Sequence, residues 1–317
     1  MLQGAGTELD PYLITNLLEL RTEVNDNTKF YKVVNDLDVV NTEYEEFWGT
    51  FYARFKQLDF DNKKLSNLRI NDGIFHFEKI TDDAFTAKIK NFRFENITML
   101  DTSIFITNQD DVGNSFSKTP FFLENGRIKA INTIGTGRIL IKENAGWPCP
   151  YVIKNVEIDI KSNVSFEMLA RAYQSTWQNV LINLNVVGSI NMMLHSNVSY
   201  GVSLPSPAST IDNMMVTGKF GLSSEYLILN LGLVESSPLT NVWVLAEITG
   251  QGTSGTQFVG ITSAQNKCFY ITEKITGFGG FQSVTNVLQV TDEQAHSYEY
   301  LSSQGFLVVE SEGWQLE

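Results

Sequence analysis

Ile153-Lys154-Asn155-Val156-Glu157-Ile158 alternates apolar and polar side chains around a single asparagine. Alternation with period two marks a strand that buries one face. The asparagine interrupts that alternation at a point where the chain can bend, because Asn tolerates left-handed backbone angles better than most residues. The same pattern of apolar, any, Asn, apolar, any, apolar recurs along the chain. It reads Leu65-Ser66-Asn67-Leu68-Arg69-Ile70, then Ile89-Lys90-Asn91-Phe92-Arg93-Phe94, then Leu123-Glu124-Asn125-Gly126-Arg127-Ile128. Beyond residue 158 it returns around Asn179, Asn213, Asn241 and Asn286, with a blurred copy around Asn266.

Successive asparagines lie 20 to 34 residues apart, about 27 on average. That spacing suits one coil of a parallel β-helix and is too irregular for helical repeats, which hold their length tightly. Short strands that return to one register across loops of variable length describe a solenoid whose strands stack in parallel sheets. The fold expected is therefore all-β: a single-stranded, right-handed parallel β-helix with short capping helices at both ends. Asn67, Asn91, Asn125, Asn155, Asn179, Asn213, Asn241 and Asn286 are expected to form one structural ladder, each amide bonding along the stack axis. Phe75-His76-Phe77, Ile104-Phe105-Ile106, Ile139-Leu140-Ile141, Tyr226 to Leu229 and Phe258 to Ile261 are expected to supply a second sheet.

The 317 residues are 43% hydrophobic and 19% charged, with a net charge of −13. Such a chain can bury a large core. It has no run of Lys or Arg, which argues against nucleic acid and anionic membranes as partners. Cys149 and Cys268 form no disulfide framework or zinc motif, and His76, His195 and His296 lack ligand spacing. Neither a secretory leader nor a stretch long enough to cross a membrane is legible, so the expectation is assembly in a host cytoplasm.

A solenoid must cover its exposed sheet edges. The expected N-terminal cap is residues 1–28: a strand Tyr12-Leu13-Ile14, a cap at Thr15 or Asn16, and a helix whose apolar face is Leu17, Leu18, Leu20 and Val24. The β-helix is expected over 29–290. A C-terminal cap over 291–317 is expected to open on the capping box Thr291-Asp292-Glu293-Gln294. Gly4-Ala5-Gly6-Thr7-Glu8-Leu9-Asp10-Pro11-Tyr12-Leu13-Ile14, the Leu-rich helix, and Phe30 to Asp38 with its Asn35-Asp36-Leu37-Asp38 ending resemble the opening of the pectate-lyase-like β-helix proteins. That group occurs on bacterial surfaces and in bacteriophage virions. The stretch from Thr291 to Trp314 is similar to the group's ending. The resemblance implies the fold and leaves the activity open.

Glycan cleavage on such a fold needs paired carboxylates. Asp110-Asp111 are adjacent and so point to opposite faces of a strand. Glu157 and Asp159 share a face but flank inward apolar residues, and Asp36 and Asp38 belong to the opening tract. None makes a convincing pair, and too few oxygen ligands converge for calcium. No catalytic residue, cofactor or metal is expected.

Function is expected instead on the loops Asn108 to Thr119, Lys142 to Tyr151 and His195 to Thr210. Trp147, Tyr151, Tyr200 and Trp243 are the candidate contacts to a protein partner or glycan. Met215 and Trp243 are apolar where an outward strand position should be polar, which suggests a buried partner face and a homotrimer. The functional expectation is a non-enzymatic structural or receptor-binding component of a bacteriophage virion, in contact with other virion proteins and with host-surface glycan. A polysaccharide-degrading tail depolymerase and a bacterial surface adhesin are the alternatives.

Overall fold

The computed structural model describes residues 2–40, 42, 48, 51–71, 73–78, 87–100, 103–108, 121–133, 137–143, 151–171, 175–191, 193–197, 210–223, 226–231, 239–250, 257–260, 265–266, 268–276 and 287–304. The fold is an all-β parallel β-helix. It forms two compact units, Met1–Ile160 and Lys161–Glu317, which are described in turn.

In the first unit, strand Tyr12–Ile14 pairs in parallel with Asn25–Val33, and that strand with Tyr52–Asp59. Tyr52–Asp59 pairs with Ala87–Met99, and Ala87–Met99 with Phe121–Asn132. Each strand is one rung on from its neighbour, as parallel pairing through long crossovers requires. A second set, Phe75–Glu78, Phe105–Asn108 and Ile141–Glu143, stacks in the same manner. The core follows from the alternation. Ile89, Leu123 and Ile153 occupy equivalent positions before the asparagine, Phe94, Ile128 and Ile158 equivalent positions after it, and all six are fully buried. Each such side chain contributes about 1.5–3 kcal/mol of transfer free energy. Aromatic rings thicken this core: Phe75 stacks on Phe105 at 6.5 Å, and Phe94 packs against Phe60 and Phe92 at 5.2 and 4.8 Å.

The N-terminal residues close the first sheet edge. Helix α1 (Leu17–Glu23) is capped by Asn16, whose Oδ1 accepts from the Glu19 amide at 3.0 Å. Glu19 reaches back to the amide of Thr15 at 2.7 Å. Leu17, Leu20 and Val24 are buried as expected, but Leu18 is 58% exposed and lies off the buried face. Arg21 sits over the Trp48 ring at 4.8 Å and donates to the Trp48 carbonyl, which pins the helix. The Gly4 to Pro11 turn explains the glycines of the opening motif. Gly4 has φ +101, and a Cβ there would lie 2.2 Å from the Pro11 carbonyl oxygen. The turn brings the Gln3 carbonyl to the Leu13 amide at 2.9 Å, covering an edge donor that could pair with another chain. Gly4→Ala should cost about 2 kcal/mol or more. Faster amide exchange at Leu13 than in wild type would report the opened edge, and unchanged exchange would count against this reading.

In the second unit, Thr176–Ile190 pairs in parallel with Thr210–Leu222. That strand pairs with both Leu239–Val244 and Glu247–Gly250. Leu239–Val244 pairs with Cys268–Ile271, and the latter with Val287–Val290. A shorter stack contains Ala170–Arg171, Leu194–Asn197, Tyr226–Leu231 and Gln257–Gly260. Trp177, Ile211 and Leu239 form one buried line, Ile182, Val216 and Val244 another. The register slips between Asn185 and Ser189, and this bulge throws out Val187, which is 81% exposed.

The C-terminal helices α2 (Asp292–Ala295) and α3 (Tyr298–Ser303) follow the last described strand. The capping box at Thr291 is complete: Thr291 Oγ1 accepts from the Gln294 amide at 3.1 Å and Gln294 Oε1 from the Thr291 amide at 2.9 Å.

Candidate functional site

The asparagines bend the chain as their chemistry allows. Asn67, Asn91, Asn125, Asn155, Asn179, Asn213 and Asn241 all have φ between 53 and 63 or, for Asn91, 52. In the first unit they do not form one ladder. Asn91 Nδ2 donates to Asp59 Oδ1 at 2.9 Å, Asn125 to Asn91 at 3.3 Å, and Asn155 to Asn125 at 2.8 Å. Asn67 stands in a second column: its Nδ2 donates to Asp38 at 2.8 Å, and its Oδ1 accepts from Asn96 Nδ2 at 2.6 Å. The placement of Asn67 and Asn91 in one register is therefore corrected. Tyr52–Asp59 turns at the first bend through Asp61 and Asn62, both at positive φ, so its Asn67 falls at the next bend. The second column stops at Asn96, because the register shifts between Ile128 and Ala130 and removes the matching residue.

Every amide in these columns donates toward the preceding rung. The first member therefore needs only to accept, and an ionised carboxylate is acceptor-only. Asp38 and Asp59 fill that place in the same way, each also accepting from a backbone amide two residues on, Val40 at 3.0 Å and Asp61 at 2.8 Å. In the second unit Asn213 donates to Asn179 at 2.8 Å and Asn241 to Asn213 at 2.7 Å. Trp243 Nε1 donates to Asn241 Oδ1 at 2.7 Å, so a donor-only indole bonds the Asn241 amide oxygen. Asn266 pairs opposite Thr240, one residue from the Asn241 register, and Asn286 lies outside the described residues.

The hydrogen bond from Asn67, followed by that from the Val40 amide, holds the Asp38 carboxyl below its usual range. A carboxyl depressed on folding stabilises the fold above its unfolded value, about 3.9. That contribution disappears as pH falls through the lower, folded value. Asp38→Asn can still accept from Asn67 but cannot titrate. Its Tm should fall less than wild type between about pH 5 and pH 2, with parallel curves above that window. Identical acid limbs would contradict this role for Asp38.

The outward position two residues after each asparagine changes character along the sequence. In the first unit it holds Arg93, Arg127 and Glu157; Arg93 bonds Glu95 at 2.7 Å, and Arg127 bonds Glu157 at 2.7 Å. In the second unit it holds Leu181, Met215 and Trp243, continued by Phe269 and Leu288 in register. This apolar column is covered by the chain itself. Met215, Trp243 and Phe269 cluster with Ile271, Val290, Ala295 of α2 and Leu301 of α3. Lys274 bonds Asp292 at 2.7 Å and Glu273 accepts the Asp292 amide at 3.0 Å, which fastens the start of α2 to the sheet.

Trp243 is 1% exposed and Tyr151, packed on Phe121 at 5.5 Å, is 1% exposed. Both are corrected from candidate contacts to core residues. The alternation placed Trp243 outward correctly, but the short C-terminal helices return over that face. Trp147 and Tyr200 lie outside the described residues, as do most of the three candidate loops and Asp110-Asp111. Glu157 is tied to Arg127, Asp36 accepts from the Lys64 amide at 2.9 Å, and Asp59 faces Lys90 at 3.3 Å. Among the described residues no group of His, Cys, Asp and Glu could hold a metal ion, and no helix is long and apolar enough to cross a membrane.

Asp38, Asp59 and Asn96 are structural residues that the expected ladder did not include. For Asp38 and Asn96 the signal was equal spacing, 29 residues to either side of Asn67, and Asn96 stands in a further copy of the motif, Phe94-Glu95-Asn96-Ile97-Thr98-Met99. Asp59, 32 residues before Asn91, has no such signal.

No protein-family model matches the chain, and no curated protein matches it. Among solved structures it is similar to a putative immunoglobulin A1 protease from Bacteroides ovatus. That similarity has 14% identity over 98% of this chain and 92% of the other, with a TM-score of 0.42.

Proposed function

We propose that this chain is a non-enzymatic structural or receptor-binding component of a bacteriophage virion: an appendage, spike, fibre or decoration protein. The observation that carries the reading is the use of its outward carboxylates. Asp38 and Asp59 head the amide columns and Glu157 is ion-paired, so these groups serve the scaffold. The resemblance of Gly4 to Asp38 to pectate-lyase-like β-helix proteins of virions and bacterial surfaces supports the same reading. A rigid stack of this kind presents its loops to other virion proteins or to host-surface glycan. The homotrimer expected from Met215 and Trp243 loses that basis, because α2 and α3 cover both.

Antibody raised against the purified chain and applied to particles from the producing culture tests the proposal. Label on assembled virions, seen by electron microscopy, is the expected result. Label confined to the bacterial envelope would replace this reading with the adhesin. Incubation with capsule or wall glycan should yield no new reducing ends, and release of such ends would make the protein a depolymerase.

A further inference from the structure

Asn125 is followed by Gly126, the one Asn-Gly pair in the sequence. Packing demands this glycine. Gly126 pairs in register with Phe92, and a Cβ on it would lie 2.3 Å from the Phe92 ring. After Asn155 the equivalent residue is Val156, which is buried; after Asn125 the Phe92 ring of the neighbouring rung takes the space instead.

The glycine has a chemical consequence. With no side chain to shield it, a glycine amide nitrogen is well placed to attack the side chain of the asparagine before it. Asn125 is exposed. Backbone pairing with Ala87–Met99 runs from Glu124 to Gly126 and skips Asn125. Its donation to Asn91 measures 3.3 Å, against 2.6 to 2.9 Å for the donations of Asn67, Asn91, Asn96, Asn155, Asn213 and Asn241.

We infer that Asn125 is a deamidation site, and that its conversion cuts the amide column between Asn91 and Asn155. The Gly126 nitrogen, losing its proton, forms a bond to Asn125 Cγ; the Cγ–Nδ2 bond breaks and ammonia leaves. Water then opens the resulting cyclic imide. Cleavage at Cγ gives aspartate, and cleavage at the main-chain carbonyl gives isoaspartate. Aspartate at the head of a column is matched to its place, but in mid-column it is not. It can still accept from Asn155 but has no proton for Asn91, so two acceptor oxygens face each other. Isoaspartate adds a methylene to the main chain at a bend whose register the neighbouring rungs fix.

The test is prolonged incubation of the folded, purified chain at neutral pH, followed by mass spectrometry of the tryptic peptide ending at Arg127. That peptide should gain about one mass unit, as amide nitrogen is replaced by oxygen at a thermolabile asparagine. It should do so several-fold faster than the peptides carrying Asn91, Asn155, Asn179 or Asn213. Conversion at Asn125 no faster than at Asn155 would overturn the assignment. The aged, converted fraction and the Asn125→Asp variant should share a lowered unfolding midpoint. A converted fraction as stable as fresh protein would overturn the cut column, whether or not the variant folds.

Discussion

Replacing Trp243 by alanine should lower the unfolding free energy by about 3–5 kcal/mol, the range for truncating a large buried aromatic. The side chain is 1% exposed and packs on Phe269 at 5.3 Å. It also gives its indole N–H to Asn241, so truncation leaves the Asn241 acceptor without that donor. Trp243→Phe keeps most of the packing and removes only the N–H, and should cost nearer 1 kcal/mol. Chemical unfolding checks both: the midpoint should move with little change in slope. A Trp243→Ala midpoint equal to wild type would show that α2 and α3 do not cover the face. Leu301→Asp approaches the same contact from the helix and should expose Met215 and Phe269 without altering the sheet.

Asn213→Ala should cost about 3–4 kcal/mol. Alanine pays about 1–2 kcal/mol for the left-handed backbone, and the two amide bonds, to Asn179 and from Asn241, are worth about 1 kcal/mol each. Asn213→Gly separates the two parts, because glycine adopts φ 57 freely. Its cost should be close to that of the bonds alone. Equal losses in the two variants would mean that the backbone angle contributes nothing, and a negligible loss in both would remove the column from the stability of the second unit.

The rungs were legible because two simple signals coincide. Alternation marks the strands, and an asparagine at left-handed φ marks each bend. Ile89, Leu123 and Ile153 were correctly inward on that basis. Two things were not legible. The first is which bend an asparagine occupies. Leu65-Ser66-Asn67-Leu68 and Ile89-Lys90-Asn91-Phe92 look alike, yet they turn different corners, because the earlier rung makes its first turn with Asp61 and Asn62. Motif similarity carries no information about column, whereas the equal spacing of Asp38, Asn67 and Asn96 does. The second is what covers an outward apolar residue. Met215 and Trp243 announced a buried face, and two alternatives could bury it: another chain or a distant part of this one. The short helices after Thr291 decided it through Ala295 and Leu301, contacts that no local pattern specifies.

The two-column arrangement of the first unit is tested most directly by double-mutant cycles built on glycine, which keeps the left-handed bend and removes only the amide. Asn67→Gly combined with Asn96→Gly should show a coupling of about 0.5–1 kcal/mol, as expected for residues that share a hydrogen bond. Asn67→Gly combined with Asn91→Gly should be additive within error. Coupling between Asn67 and Asn91, with additivity between Asn67 and Asn96, would contradict the two columns and restore a single ladder.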